Sequence, residues 1–270
     1  MCDEKENIMA LKVVILAGGF GTRISEESHL RPKPMIEIGG EPILWHILKY
    51  YSSFGFNEFI ICCGYKGYMI KEYFANYYMH RSDMTFDFSA GNKMIVHANI
   101  AEPWKITVVD TGLHTQTGGR IKRIAPYIGN ERFMMTYGDG LSNIDLEKLL
   151  KTHEKSGKTV TLSAIQPIGR FGVLDINERD GSITGFHEKV KGDNAWINAG
   201  FMVMEPEVFD YIDGDLSIFE RKPLELLSAE GKLGVYLHHG YWRCMDTARD
   251  KGALDADWAN GKAKWKMWAD

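Results

Sequence analysis

The residues best equipped for chemistry lie in two short stretches near the start of the chain. Leu16-Ala17-Gly18-Gly19-Phe20-Gly21-Thr22-Arg23 is a glycine-rich loop, and Arg31-Pro32-Lys33-Pro34 follows it. Glycines let a ligand approach the backbone, and their exposed N–H groups suit phosphate oxygens. The two prolines stiffen the chain around Lys33 and hold its ammonium in place. Arg23 and Lys33 together would neutralise a polyphosphate lying over the loop. A Walker A loop is excluded, because it ends in Gly-Lys-Ser/Thr and this stretch ends Gly21-Thr22-Arg23. The dinucleotide fingerprint, read from Gly19, would need Gly or Ala where Ile24 stands. A tight turn with solvated cations is the bland alternative, and the loop and Pro-Lys-Pro together weigh against it.

Two aspartates form the second constellation. Asp139, in Tyr137-Gly138-Asp139-Gly140, follows the apolar run Phe133–Tyr137 and so falls at a strand's carboxyl end, where open α/β sheets bind ligands. Asp246, in Met245-Asp246-Thr247, precedes a helical stretch. Taken singly, Asp139 reads as a turn residue and Asp246 as a helix cap. Taken together they offer what magnesium prefers, one or two carboxylates completed by phosphate oxygens. No Ser-His-Asp or Cys-His arrangement is readable. The cysteines lack C-x-x-C or zinc spacing, and adjacent Cys62 and Cys63 would point to opposite faces of a strand as free thiols.

The elements that must carry these residues follow from periodicity. Lys12–Leu16 is a short β-branched run suited to a buried parallel strand. Pro42 suits the first position of a helix over Ile43–Phe54, closed by Gly55, and Phe59–Cys62 is the next strand. A helix is expected over Lys66–Tyr78, with Tyr73, Phe74, Tyr77 and Tyr78 on one face as core or subunit contact. Ile106–Val109, Phe133–Tyr137 and Thr159–Ile165 read as strands, with a helix at Leu146–Lys155. Val173–Ile176 and Ile183–Phe186 flank a hairpin turn at Glu178–Gly181. Trp196–Met204 and Val235–His238 add strands, and Thr247–Ala259 a helix. The pattern is α/β: a Rossmann-like, mostly parallel open sheet with a mixed-strand C-terminal half. Residues 11–270 read as one domain, preceded by a disordered extension over residues 1–10.

Bulk properties narrow the classes. The 270 residues are 44% hydrophobic and 25% charged, which suffices for one sizeable core. A net charge of -4 gives no sign of a nucleic-acid partner. No apolar run approaches the roughly 20 residues of a membrane span, so a cytoplasmic protein is expected. The basic and aromatic stretch Lys262–Trp268 reads as a packed segment with snorkelling lysines.

Gly18-Gly19-Phe20-Gly21-Thr22-Arg23 with Pro32-Lys33-Pro34 resembles the signature of the sugar-nucleotide pyrophosphorylases. The segments Pro42–His46, Ile61–Gly67 and Thr117-Gly118-Gly119-Arg120 extend the likeness toward members that join CTP and glucose-1-phosphate. The resemblance implies a Mg2+ cofactor, small-molecule partners (CTP and a sugar-1-phosphate), a homo-oligomer such as a hexamer, and a part in surface-polysaccharide synthesis. It implies nucleotide binding by Leu16, Ala17, Gly18, Gly19, Gly21, Thr22, Arg23, Thr117, Gly118, Gly119 and Asp139. Gly172, Glu188, Lys189 and Asn198 would bind the sugar phosphate, Arg23, Lys33 and Lys189 would be catalytic, and Asp139 and Asp246 would hold the metal. Three departures from the pattern are Val190 after Glu-Lys, Ala199 for a glycine, and Arg243-Cys244 before Asp246. They fall on the sugar and metal side, so another hexose-1-phosphate is an alternative, as is another nucleotide. A non-catalytic sugar-nucleotide-binding regulator and a dinucleotide-dependent oxidoreductase are further readings, the last opposed by the loop sequence.

Overall fold

Alternate residues of the first strand enter two different cores. Along β1 (Lys12–Ala17), Val13, Ile15 and Ala17 face one apolar cluster, while Val14 and Leu16 face the other. A strand buried on both faces needs helices on both, which is the layering of a parallel α/β sheet. The computed structural model describes residues 11–89, 91–166, 173–177, 182–187 and 196–269.

The principal sheet contains β1, β2 (Glu58–Cys63), β3 (Lys105–Asp110), β4 (Phe133–Tyr137), β5 (Val160–Ile165), β6 (Ile197–Met204) and β7 (Leu233–His238). Their spatial order is β7-β5-β6-β4-β1-β2-β3. β4, β1, β2 and β3 are mutually parallel, as are β5 and β7; β6 alone runs against both neighbours. The nucleotide-type half thus keeps its parallel order, and the reversal comes in the mixed half, as the sequence pattern anticipates.

Helix α1 (Ile43–Ser52) starts one residue after Pro42, which occupies the cap position rather than the first turn. The α2 helix (Gly67–His80) sets Tyr73 and Phe74 against the first core and buries Tyr77 against Trp104, leaving Tyr78 exposed. Most of that aromatic face is therefore core. The α3 helix (Thr117–Arg123) belongs to the opposite layer, where Ile121 joins the second cluster. In α4 (Leu146–Ser156), Asp145 caps the start by accepting from Lys148 N at 2.9 Å. The last helix, α5 (Ala248–Ala259), is opened by a capping box between Thr247 and Asp250. Cys62 and Cys63 are buried in different clusters, as their adjacency requires. Val173–Asn177 pairs antiparallel with Ser182–His187, and the expected turn at Glu178–Gly181 lies outside the described residues.

Several elements, α3 among them, have no counterpart in the sequence reading. Ser82–Asp87 pairs antiparallel with Lys93–Asn99, forming a ribbon whose Phe86, Phe88, Met94 and Ile95 are exposed. Lys222–Ala229 forms a further helix. The segment Lys262–Trp268 packs as expected, with Trp265 fully buried beside His46 of α1. Among the described residues no helix is long and apolar enough to cross a membrane.

Candidate active site

The carboxyl ends of β1, β2, β3 and β4 meet at the glycine loop. Gly138 N donates to Leu16 O at 2.9 Å and Tyr65 N to Gly18 O at 3.3 Å, so the loops after β4 and β2 are tied to the loop after β1. Arg120 of α3 completes the assembly from beneath. Its guanidinium donates to Cys63 O (3.1 Å), Thr111 Oγ1 (2.8 Å), Gly112 O (2.8 Å), Gly18 O (3.0 Å) and Leu113 O (3.4 Å). A Cβ added to Gly18 would lie 2.1 Å from that guanidinium, so the residue must be glycine for the arginine to fit. Burial pulls the Arg120 pKa below its ordinary value, as expected for a cation held by neutral oxygens.

On the other side of the loop stands Lys33, in a short 3-10 turn after Pro32. Its Nζ lies 2.6 Å from Asp139 Oδ2 and 2.8 Å from Asp246 Oδ1. Burial acts to lower its pKa, but the carboxylates of Asp139 and Asp246 outweigh that and the net direction is upward. Asp246 makes this contact while Thr247, one residue on, caps α5. Met245 N donates to Asp139 O at 2.8 Å, locking the two aspartate-bearing segments together. Trp242–Cys244 pairs with Gly140–Ser142 in the same seam, and Cys244 Sγ sits 3.5 Å from Asp246 Oδ2. Two hard carboxylates converging on one cation beside a phosphate-type loop fit magnesium, which takes few protein ligands. Among the described residues there is no group of three or more His, Cys, Asp or Glu that would form a complete cage.

The sugar side is partly described. Asn198 lies on β6, where its Oδ1 accepts from Gly200 N at 2.9 Å. Gly200 has φ +86, and an added Cβ would come within 2.4 Å of the Tyr137 ring. Only glycine satisfies both demands. The Ala199 methyl, expected near the sugar, belongs instead to the first core; Ala199 is buried and its carbonyl accepts from Trp242 Nε1 at 2.8 Å. Strand alternation is the reason, since residue 199 faces away from 198 and 200. Gly172, Glu188, Lys189 and Val190 lie outside the described residues, as do the Arg23 side chain and the extension over residues 1–10.

The backbone of Thr117-Gly118-Gly119, expected to meet the nucleotide, also packs on a neighbouring segment, where Gly119 N donates to Ser217 O at 3.2 Å. Added Cβ atoms on Gly118 and Gly119 would strike the backbone of Ser217 and Asp215. Those glycines are a packing seam, and the Thr117 hydroxyl is engaged by Glu220 and Phe219 N. Leu16, Ala17, Gly18, Gly19, Gly21, Thr22, Lys33, Asp139 and Asp246 all gather at or beside the loop. Arg120 and Glu220, which also accepts from the Tyr137 hydroxyl, are the site residues that sequence reasoning missed. An arginine just after two glycines was the available signal for the first.

A seven-stranded sheet with a glycine loop at its carboxyl edge and a Lys-Asp-Asp cluster beside it suits nucleotidyl transfer. The nucleotidyl transferase family pattern matches residues 12–259, and the chain belongs to that family. It is 54% identical over 259 residues to glucose-1-phosphate cytidylyltransferase of Salmonella typhimurium, with 96% of this chain and all of that protein covered. The glucose-1-phosphate cytidylyltransferase of Salmonella typhi matches equally, at 54% and the same coverage. Among solved structures, apo UDP-glucose pyrophosphorylase superposes with a TM-score of 0.67 at 16% identity, covering 93% of this chain and 99% of that one. At that identity the likeness speaks for the fold.

Proposed function

We propose that the protein transfers the cytidylyl group of CTP to glucose-1-phosphate, forming CDP-glucose and pyrophosphate. The observation that supports this most is the Lys33–Asp139–Asp246 cluster beside the glycine loop, in a chain 54% identical to two glucose-1-phosphate cytidylyltransferases. The reaction is an in-line displacement at the α-phosphorus, with a sugar-phosphate oxygen as nucleophile. A phosphate monoester has a second pKa near 6 and is mostly dianionic at neutral pH. It needs no general base, so the protein's work is positioning and charge neutralisation.

Asp139 and Asp246 are the carboxylates that would hold magnesium, which when bound neutralises phosphate charge and polarises the phosphorus. Lys33 and Arg23 would stabilise the departing pyrophosphate. Leu16, Ala17, Gly18, Gly19, Gly21 and Thr22 would cradle the triphosphate and base through their backbone. Asn198 with Gly172, Glu188 and Lys189 would hold the sugar phosphate, Lys189 meeting the incoming dianion. The reading includes a cytoplasmic enzyme supplying surface-polysaccharide synthesis; unchanged surface polysaccharide in cells lacking the protein would remove that part. It also includes a homo-oligomer, for which the exposed apolar residues of the Ser82–Asn99 ribbon give a more suitable contact than α2. A monomeric mass by light scattering would count against it.

The decisive assay is pyrophosphate release with magnesium and glucose-1-phosphate, run against CTP, dTTP, UTP, ATP and GTP. Release with CTP alone is expected. Release with another nucleotide would overturn the cytidylyl assignment and leave the displacement mechanism standing.

A further inference from the structure

Three aromatic side chains come together at the mouth of the glycine loop, each from a different strand end. Phe20 follows β1, Tyr65 follows β2 and His114 follows β3. The Phe20 ring lies 5.4 Å from that of Tyr65 and 6.0 Å from that of His114, tilted at 42° and 38°. Phe20 is 43% exposed although its ring has two aromatic neighbours. The adjacent Gly19 is exposed, and nothing comes within 4 Å of where its Cβ would be. Open space and an open ring face therefore lie side by side at the loop that the phosphates are expected to occupy.

The three aromatics do not sit together by chance of surface packing. Arg120 donates to Gly18 O, Cys63 O and Leu113 O, and thereby ties the three strand ends from which Phe20, Tyr65 and His114 project. Tyr65 N also donates to Gly18 O. One buried cation thus fixes both the phosphate loop and the aromatic wall above it. A preset wall of this kind serves a flat ligand group, since every nucleobase has a π-face that can stack on an aromatic ring.

We propose that Phe20, backed by Tyr65 and His114, is the stacking surface for the base of the substrate nucleoside triphosphate. The proposal rests on the reading that the glycine loop takes a nucleoside triphosphate. Phe20 contributes to nucleotide affinity through the base alone and leaves the phosphates to the loop backbone and the cations. Because stacking accepts any base, Phe20 sets affinity while other contacts choose the base.

The test separates base from phosphate by using two ligands. Calorimetric titration of the full chain with CTP and with inorganic tripolyphosphate, both with magnesium, is compared for the wild type and for Phe20→Ala. CTP affinity is expected to fall about tenfold with tripolyphosphate affinity unchanged, and Phe20→Tyr to stay within about twofold of the wild type. His114→Ser should move CTP alone, by about threefold. Equal loss for both ligands would mean a distorted loop and would overturn the proposal, as would undiminished CTP binding in Phe20→Ala. A smaller assembly mass in Phe20→Ala with CTP affinity intact would assign the patch to a subunit contact and overturn it too. If the wild type binds another nucleotide in place of CTP, the cytidylyl reading fails. The same ratio, measured with that nucleotide against tripolyphosphate, then decides the stacking.

Discussion

Arg120 and Lys33 are both sheltered cations flanking one glycine loop, yet their surroundings move them in opposite directions. Burial dominates at Arg120, whose hydrogen-bond acceptors are all neutral oxygens, and its pKa goes down. Carboxylates dominate at Lys33, and its pKa goes up despite burial. The difference separates a scaffold from a working group. Arg120 keeps its positive charge unneutralised directly beneath the loop, where it favours any anion placed above. Lys33 is held between two acids whose oxygens a metal would claim, which leaves its ammonium for phosphate.

The largest effects should come from the neutralised side. Asp139→Asn is expected to lower turnover by about a thousandfold at saturating magnesium while the thermal transition stays close to the wild type. Near-normal pyrophosphate release would sink the metal assignment. Lys33→Ala should cost about a hundredfold in kcat, and an effect confined to the KM for sugar phosphate would show that Lys33 serves the other substrate.

The scaffold side predicts a different signature. Arg120→Met strands several carbonyls and should destabilise the fold by about 3 kcal/mol, weakening CTP and tripolyphosphate alike. Arg120→Lys should recover little of either, because an ammonium cannot reproduce the guanidinium fork. Full recovery by lysine would mean that charge alone matters and would erase the distinction between the two cations.

A third buried group tests whether burial by itself explains Arg120. His46 is fully buried, with Nε2 on Ile38 O and Nδ1 accepting from Trp265, and burial lowers its pKa from 6.5 to about 4. Its folded value lies below the unfolded one, so the unfolded chain binds the extra proton first. The stability it contributes is complete above about pH 6.5 and declines as pH falls toward 4, by roughly 3 kcal/mol in all. His153 and His238 are displaced in the same direction, so the slope should be shared. Denaturant unfolding at several pH values would measure it, and a His46→Gln variant with an unchanged acid slope would exclude His46 as a contributor. Smallest of all, Gly200→Ala should cost about 2 kcal/mol from its positive φ and the Tyr137 contact.

Much of this arrangement was legible beforehand. Strands such as Phe133–Tyr137 stand where their apolar runs place them, and Lys33, Asp139 and Asp246 do gather at the glycine loop. Periodicity reports strands buried on both faces well, because most residues of such a strand are apolar. The Ser82–Asn99 ribbon escaped that signal. Its exposed face carries Phe86 and Met94, so it shows no alternation of buried and polar positions to read. The packing of Thr117–Gly119 and Ala199 also escaped, since both depend on what another segment lays against them. Arg120 was hidden for the same reason: its partners are backbone oxygens contributed by Gly18, Cys63 and Gly112, which no side-chain motif records.

The ties from Lys33 to Asp139 and Asp246 span 106 and 213 positions of chain. Contacts so distant in sequence close late, because the loop entropy they remove must be offset by structure already formed. The chemistry therefore has no local nucleus: no single stretch of the polypeptide, however well folded, can hold that ammonium between its acids. During refolding from denaturant, turnover should return only in the final kinetic phase, after the far-ultraviolet signal of the helices has recovered. Enzyme activity then becomes a clock for the last step of folding.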